Sequence, residues 1–230
     1  MMINFKNAIY INFIKDSRYL YIVNGLKNTL IITFFALLIG IILGLCIAIV
    51  RTNHENTGRL KILNNICKVY LTIIRGTPVV VQLMILFFCI FTSREIPGIF
   101  IAIVGFGINS AAYVAEIFRA GLMSIDPGQM EAGRSLGFSY SQTMKKIIIP
   151  QAFKNVLPAL LNEFIALIKE TSVAGYVAVQ DLTKGGDIIK SRTFDPWMPL
   201  LLVALIYLII TSILTHLVGL IEKNLRKTER

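Results

Sequence analysis

The sequence predicts an all-α, polytopic membrane protein built as a single domain over residues 1–230. It has about five transmembrane helices, an interfacial N-terminal segment (1–27) and a helix–glycine–helix loop (126–150). Three observations carry this reading. Of 230 residues, 55% are hydrophobic and 16% charged, and the mean hydropathy is +0.70. That is too apolar for a water-soluble domain and suits several spans joined by short loops. Uncharged runs long enough to cross a hydrocarbon core of roughly 30 Å recur along the chain. Finally, the stretch DPGQMEAGRSLGFSYSQTMKKIIIP, from Asp126 to Pro150, is a polar island in this apolar background.

The elements follow in order. Met1 to Lys27 mixes Phe5, Tyr10, Phe13, Tyr19 and Tyr21 with Lys6, Lys15 and Arg18, the composition of an amphipathic segment at the membrane surface or of a frayed lead-in. It shows no small-residue cleavage site after an apolar run, so the first span is expected to serve as the insertion signal. Leu30 to Val50 carries no charge and forms that span, with Gly40 and Gly44 in a G-x-x-x-G that lets another helix come close. Arg51 to Lys68 is expected as a polar loop. Tyr70 to Thr92 makes the second span, interrupted at Arg75-Gly76-Thr77-Pro78 because proline removes a backbone hydrogen bond. Gln82 lies one turn beyond Pro78, where it can bond a neighbouring helix or a solute.

Ile99 to Ala115 is the third span. Its small residues Ser110, Ala111, Ala112 and Ala115 allow tight packing, Asn109 and Tyr113 are candidates for a polar path, and Glu116 and Arg119 are spaced to pair. In the polar island, Asp126 caps a first helix with Pro127 at its first position and Gln129 completing a capping-box pattern. Gly137 ends that helix in a left-handed turn, and Ser139 with Gln142 restarts a second one. Phe153 to Gln180 forms the fourth apolar stretch, but Asn162, Glu163, Lys169 and Glu170 sit inside it. An acid near the centre of a span costs about 2.5–3.5 kcal/mol, so Glu163 must face protein or a wet cavity. Two roles stay open for it: reading a solute, or pairing with a cation such as Arg75 to fix helix packing. Asp181 to Asp195 is expected as a polar, glycine-containing loop. Trp197 marks an interface, Met198 to Ile221 forms the fifth span with His216 as a structural residue, and the tail is basic.

Four motifs carry a resemblance. Glu131-Ala132-Gly133, then Gly137, then Ile147, Ile149 and Pro150 resemble the EAA loop of type I ABC importer permeases, with Gly133 in place of the second alanine and Ile149 in place of leucine. RGTPVVVQL, SAAYVAEIFRAG and NEFIALIKETS are similar to the polar amino-acid branch of that family. The resemblance implies a permease subunit of an ATP-driven importer of polar amino acids; Glu163 adds a preference for a cationic one (arginine, lysine, histidine), although it could equally meet the α-ammonium that every amino acid carries. The loop would couple to a cytoplasmic ATPase through Glu131, Ala132, Gly133, Arg134, Leu136 and Gly137. A substrate path would involve Glu163, Asn162, Gln82, Tyr113, Thr77 and Arg75. Partners would be two ATPase subunits holding ATP and Mg, a second permease copy or sister permease, an extracytoplasmic amino-acid-binding protein and the lipid bilayer.

Basic residues set the expected orientation. Arg51, Arg59, Lys61, Lys68, Arg119, Arg134, Lys145, Lys146, Lys154, Lys223, Arg226, Lys227 and Arg230 fall on one side; Lys6, Lys15, Arg18, Lys27, Arg94, Lys184, Lys190 and Arg192 fall on the other. The richer side is cytoplasmic, which places the N-terminus outside and the C-terminus and the 126–150 loop inside the cell membrane. The same distribution accounts for the net charge of +10 without nucleic acid. Cys46, Cys67 and Cys89 have no metal or redox spacing. The chain carries no phosphate-cradling G-x-x-x-x-G-K-[ST], no H-E-x-x-H and no G-x-S-x-G, so it is not read as an enzyme and any ATP would bind a partner, with no cofactor or metal here. An ATP-independent secondary transporter or channel is the alternative. It is disfavoured by the missing internal repeat and the presence of the loop.

Overall fold

In the computed structural model, which describes residues 5–93 and 95–227, every regular element is helical. Arg94 and Arg230, counted above for orientation, and the first four residues of the interfacial segment lie outside the described residues.

The lead-in is a set of short turns: α1 (Phe5–Ile9), then Tyr10–Ile14 and Lys15–Ser17. It is shorter than expected. Residues from Tyr19 onward already belong to α2 (Tyr19–Thr57), a 39-residue helix of about 58 Å. The expected loop from Arg51 to Lys68 shrinks correspondingly. Polarity alone does not stop a helix: Arg51 and Glu55 are i, i+4 neighbours 3.9 Å apart, and α2 ends only where Gly58 turns left-handed (φ 68°). After Leu60 the chain enters α3 (Lys61–Gly76). Thr77 and Pro78 are extended, and α4 (Val79–Ile85), continued by a wide helical turn over Leu86–Ile90, leaves at 108° to α3. Expected as a kink, the break is a corner.

α5 (Gly98–Met123) lies along α2. The close approach is the work of Gly40 and Gly44, where a Cβ would fall 2.9 Å from Ser110 Oγ and 2.7 Å from Val114 Cγ1. Next come α6 (Pro127–Ser135), α7 (Tyr140–Thr143) with a helical continuation over Met144–Ile148, and α8 (Ile149–Glu170). The expected loop 181–195 is instead a helix, α9 (Leu182–Thr193). Asp181 caps it by accepting from the backbone N–H of Thr183 and Lys184, and Lys184, Asp187 and Lys190 form i, i+3 ion pairs. Its glycines are packing devices: Gly185 and Gly186 are buried against Tyr21 and Val203. α10 (Trp197–Lys227) closes the bundle.

Among the described residues three helices are long and apolar enough to span a membrane (α2, α5 and α10), and the bent α3–α4 pair counts as a fourth. At 22 residues α8 also reaches across, about 33 Å, but its polar residues keep it from qualifying on composition. The expected count of about five is reached only when α8 is taken as a span. The central core joins Ile32, Ala36, Leu83, Ala102, Phe106 and Leu167 from α2, α4, α5 and α8. A second cluster of Ile22, Leu182, Ile189 and Val203 ties α9 and α10 to the start of α2. The two ends of the bundle are thereby distinct. The tip of α2 meets the 126–150 loop where Asn56 Nδ2 donates to Tyr140 Oη (3.1 Å). At the other end, Leu182 N–H donates to Thr29 Oγ1 (3.1 Å) and Asn12 to Asp195 (2.8 Å).

Candidate functional site

The helix–glycine–helix loop is built from local chemistry. Asp126 accepts from Gly128 N–H (2.7 Å) and Pro127 occupies the first turn. The reciprocal half expected of Gln129 does not form; its Oε1 faces Gln151 Nε2 at 3.4 Å instead. At the far end of α6, Gly137 is left-handed (φ 85°), its N–H donates to Arg134 O, and Phe138 N–H donates back to Gly133 O. This pair of bonds satisfies carbonyls that the helix end would leave open. Ser139 and Gln142 form the expected capping box. Between the two halves sits Gly133, buried, where a Cβ would lie 2.5 Å from Thr143 Cγ2. Glu131, Ala132, Arg134 and Leu136 all point to solvent, and Leu136 is 77% exposed. A short, doubly capped helix thus offers a charged and apolar face outward while its glycine locks it to α7.

The polar residues of the spans converge on α5. Gln82 Nε2 donates to Ile74 O (2.8 Å) and to Thr77 O and Oγ1, while its Oε1 accepts from Asn109 Nδ2 (3.0 Å). The first bond has a plain cause: the proline at 78 has no N–H for the carbonyl of Ile74, and Gln82 supplies the missing donor. One residue on, Ser110 Oγ donates to Glu163 Oε1 (2.8 Å). Arg75 does not reach Glu163, so the pairing considered above is not the arrangement observed. Its guanidinium lies over the Tyr113 ring (5.9 Å to the centroid) and 3.9 Å from Glu116. Asn162, beside Glu163, is exposed. α5 therefore meets Gln82 through Asn109, Glu163 through Ser110, and Arg75 through its own Tyr113 and Glu116, while Thr77 joins by way of Gln82; Asn162 alone of the six path candidates stays outside these contacts.

Sequence reasoning missed two features. Ser110 was assigned only to packing, and nothing in the order of residues signals a partner 53 positions away. Arg51, assigned to a loop, donates to Glu116 Oε1 (2.7 Å), and the expected Glu116–Arg119 pair occupies the other carboxylate oxygen (3.0 Å). Among the described residues no cluster of histidine, cysteine or carboxylate side chains could hold a metal ion.

Residues 36–227 match the model of the binding-protein-dependent transport system inner membrane component. The chain belongs to that family. It is a multi-pass cell-membrane transport component, not an enzyme. Its relatives include the probable amino-acid ABC transporter permease protein YckA of Bacillus subtilis, 39% identical over 89% of this chain and 88% of that protein. The arginine transport system permease protein ArtQ of the same organism is 36% identical over 91% and 94%. A crystal structure described as an amino acid ABC transporter with histidines matches with a TM-score of 0.86 at 37% identity, over 97% of this chain and all of that one.

Proposed function

We propose that this permease component imports polar amino acids, with ATP and Mg held by a cytoplasmic ATPase that engages the 126–150 loop. The observation that carries the reading is the loop itself: a doubly capped helix with Glu131, Arg134 and Leu136 outward and a rigid left-handed corner at Gly137, in a chain whose relatives are amino-acid ABC permeases. Two permease copies, or this chain and a sister, would dock two ATPases, and an extracytoplasmic binding protein would deliver substrate at the α9 end. Basic residues favour the loop end as cytoplasmic, with the N-terminus outside.

ATP-driven closure of the ATPases would push α6 sideways. Because Gly133 fits α6 against Thr143, the displacement passes into α7 and α8 as one body and moves α8 relative to α5, where Ser110 holds Glu163. Glu163 supports a preference for a cationic side chain, since its carboxylate can pair with guanidinium or ammonium. The α-ammonium shared by all amino acids is the competing target. Uptake of a panel of labelled amino acids into proteoliposomes holding this chain, its ATPase and its binding protein tests both points. Uptake that needs internal ATP and favours arginine or lysine supports them; ATP-dependent uptake of glutamine keeps the importer and removes the charge preference; uptake indifferent to ATP and ATPase overturns the reading.

A further inference from the structure

A cleft of about 550 Å³ opens between α2, α3 and α5, lined by Arg51, Lys68, Leu71, Thr72, Arg75 and Glu116. Its charges do not balance. Both oxygens of Glu116 are engaged, one by Arg51 (2.7 Å) and the other by Arg119 (3.0 Å), while Arg75 stands 3.9 Å off. Glu55, the other nearby acid, is 3.9 Å from Arg51. Three guanidinium groups thus share two carboxylates, and Lys68 adds a fourth cation. Among the described residues the Lys68 ammonium meets no acceptor, and the buried Nε of Arg51 has no hydrogen-bond partner. Lys68 and Arg75 are exposed, whereas Arg51 is largely covered and paired with Glu116, so the cleft presents an excess of positive charge to which an anion is drawn.

The position and the surroundings narrow the anion. Arg51 directly follows the uncharged run that ends at Val50, which puts the cleft at headgroup depth. On α3 the cations Lys61, Lys68 and Arg75 recur every seven residues, forming one stripe. Ile62, Ile66, Val69 and Ile73, all exposed, form a second stripe at helical spacing. A ligand fitting both is an amphiphile with an oxyanion head. We propose that this cleft is a binding site for the phosphate group of an anionic phospholipid, with the guanidinium and ammonium donors of Arg51, Arg75 and Lys68 on the phosphate and an acyl chain along the isoleucine stripe. The site is independent of which solute is carried, and only the leaflet it faces follows from the orientation proposed above.

The test uses the purified transporter in detergent, titrated with phosphatidylglycerol or phosphatidylcholine, with bound lipid counted by native mass spectrometry. Phosphatidylglycerol should be retained at one site per chain that phosphatidylcholine does not fill. Lys68→Gln, which removes a cation from no ion pair, should weaken retention about fivefold, and Lys68→Arg should restore it. Displacement of the lipid by inorganic phosphate supports the same chemistry, as does phosphate binding alone that Lys68→Gln weakens, which would name a soluble source. Equal retention of the two lipids without phosphate binding, or retention unchanged in Lys68→Gln, overturns the proposal. So does displacement by an amino acid but not by its decarboxylated amine, which would make the cleft a carboxylate site.

Discussion

Replacing Gly133 by alanine restores the residue that the EAA pattern carries at this position, yet the structure expects harm. The new methyl would lie 2.5 Å from Thr143 Cγ2, 2.9 Å from Thr143 Oγ1 and 3.2 Å from Ile147 Cδ1, against ordinary carbon contacts of roughly 3.5–4.0 Å. Thr143 is fully buried and its hydroxyl donates to Ser139 O, so it cannot swing aside freely. Overpacking of this kind costs about 1–3 kcal/mol. The helix propensity gained in going from glycine to alanine returns up to about 1 kcal/mol, leaving a net loss of up to about 2 kcal/mol at the joint between α6 and α7. Thr143→Ala removes both clashing Thr143 atoms, so the double variant should recover most of the overpacking cost, a coupling of about 1–3 kcal/mol. Thermal inactivation of the purified transporter, read as ATP-driven uptake after heating, measures each corner of the cycle. Strictly additive effects, or a Gly133→Ala single variant as robust as the parent, would show that the two halves of the loop are not locked through this contact.

Gly137→Val places a β-branched side chain at φ 85°, strained by about 1–3 kcal/mol. It should abolish ATP-coupled uptake while membrane insertion, followed by protease protection, is retained; normal uptake would refute the lever. Glu163→Gln keeps the bond from Ser110 but removes the charge, and should lower affinity for arginine far more than for glutamine in uptake competition; unchanged arginine affinity removes the charge-reading role. Gln82→Leu strips the donor that serves Ile74 O and should cost about 1–3 kcal/mol, seen as a lower melting temperature, whereas an unshifted melt would mean that water replaces the amide. On α9, hydrogen bonds from Lys190 and then Lys184 hold the Asp187 carboxyl below its ordinary pKa. A depressed pKa means the contribution is present above the unfolded carboxylate's value, near pH 4, and is lost as acid protonates the folded group. Asp187→Asn should therefore flatten part of the acid-side fall in melting temperature; identical pH profiles would rule the contribution out.

What could be read from the sequence was local or periodic. Uncharged runs located the spans, and the Ser139–Gln142 box formed as expected because its partners lie three residues apart. The Gln129 half-box did not, since Gln151 on α8 offers a competing contact that spacing cannot reveal. α9 was hidden because its helix depends on tertiary packing of Gly185 and Gly186 more than on propensity, and glycine pairs read alone signal loops. The extension of α2 past Val50 was hidden for the opposite reason: its polar residues were assumed to break a helix that only Gly58 ends. In the candidate path, residue types were visible but pairings were not, as the change of Arg75's partner from Glu163 to Glu116 illustrates.

The length of α2 has a mechanical consequence. A helix of about 58 Å that touches Leu182 through Thr29, about 15 Å from its first residue, and Tyr140 through Asn56 at its last turn can act as a tiller. Tilting it by roughly 5° about one end sweeps the other through about 5 Å, close to a full helical turn. α2 then offers a second mechanical connection between the two ends of the bundle, beside the one proposed through α8 and α5.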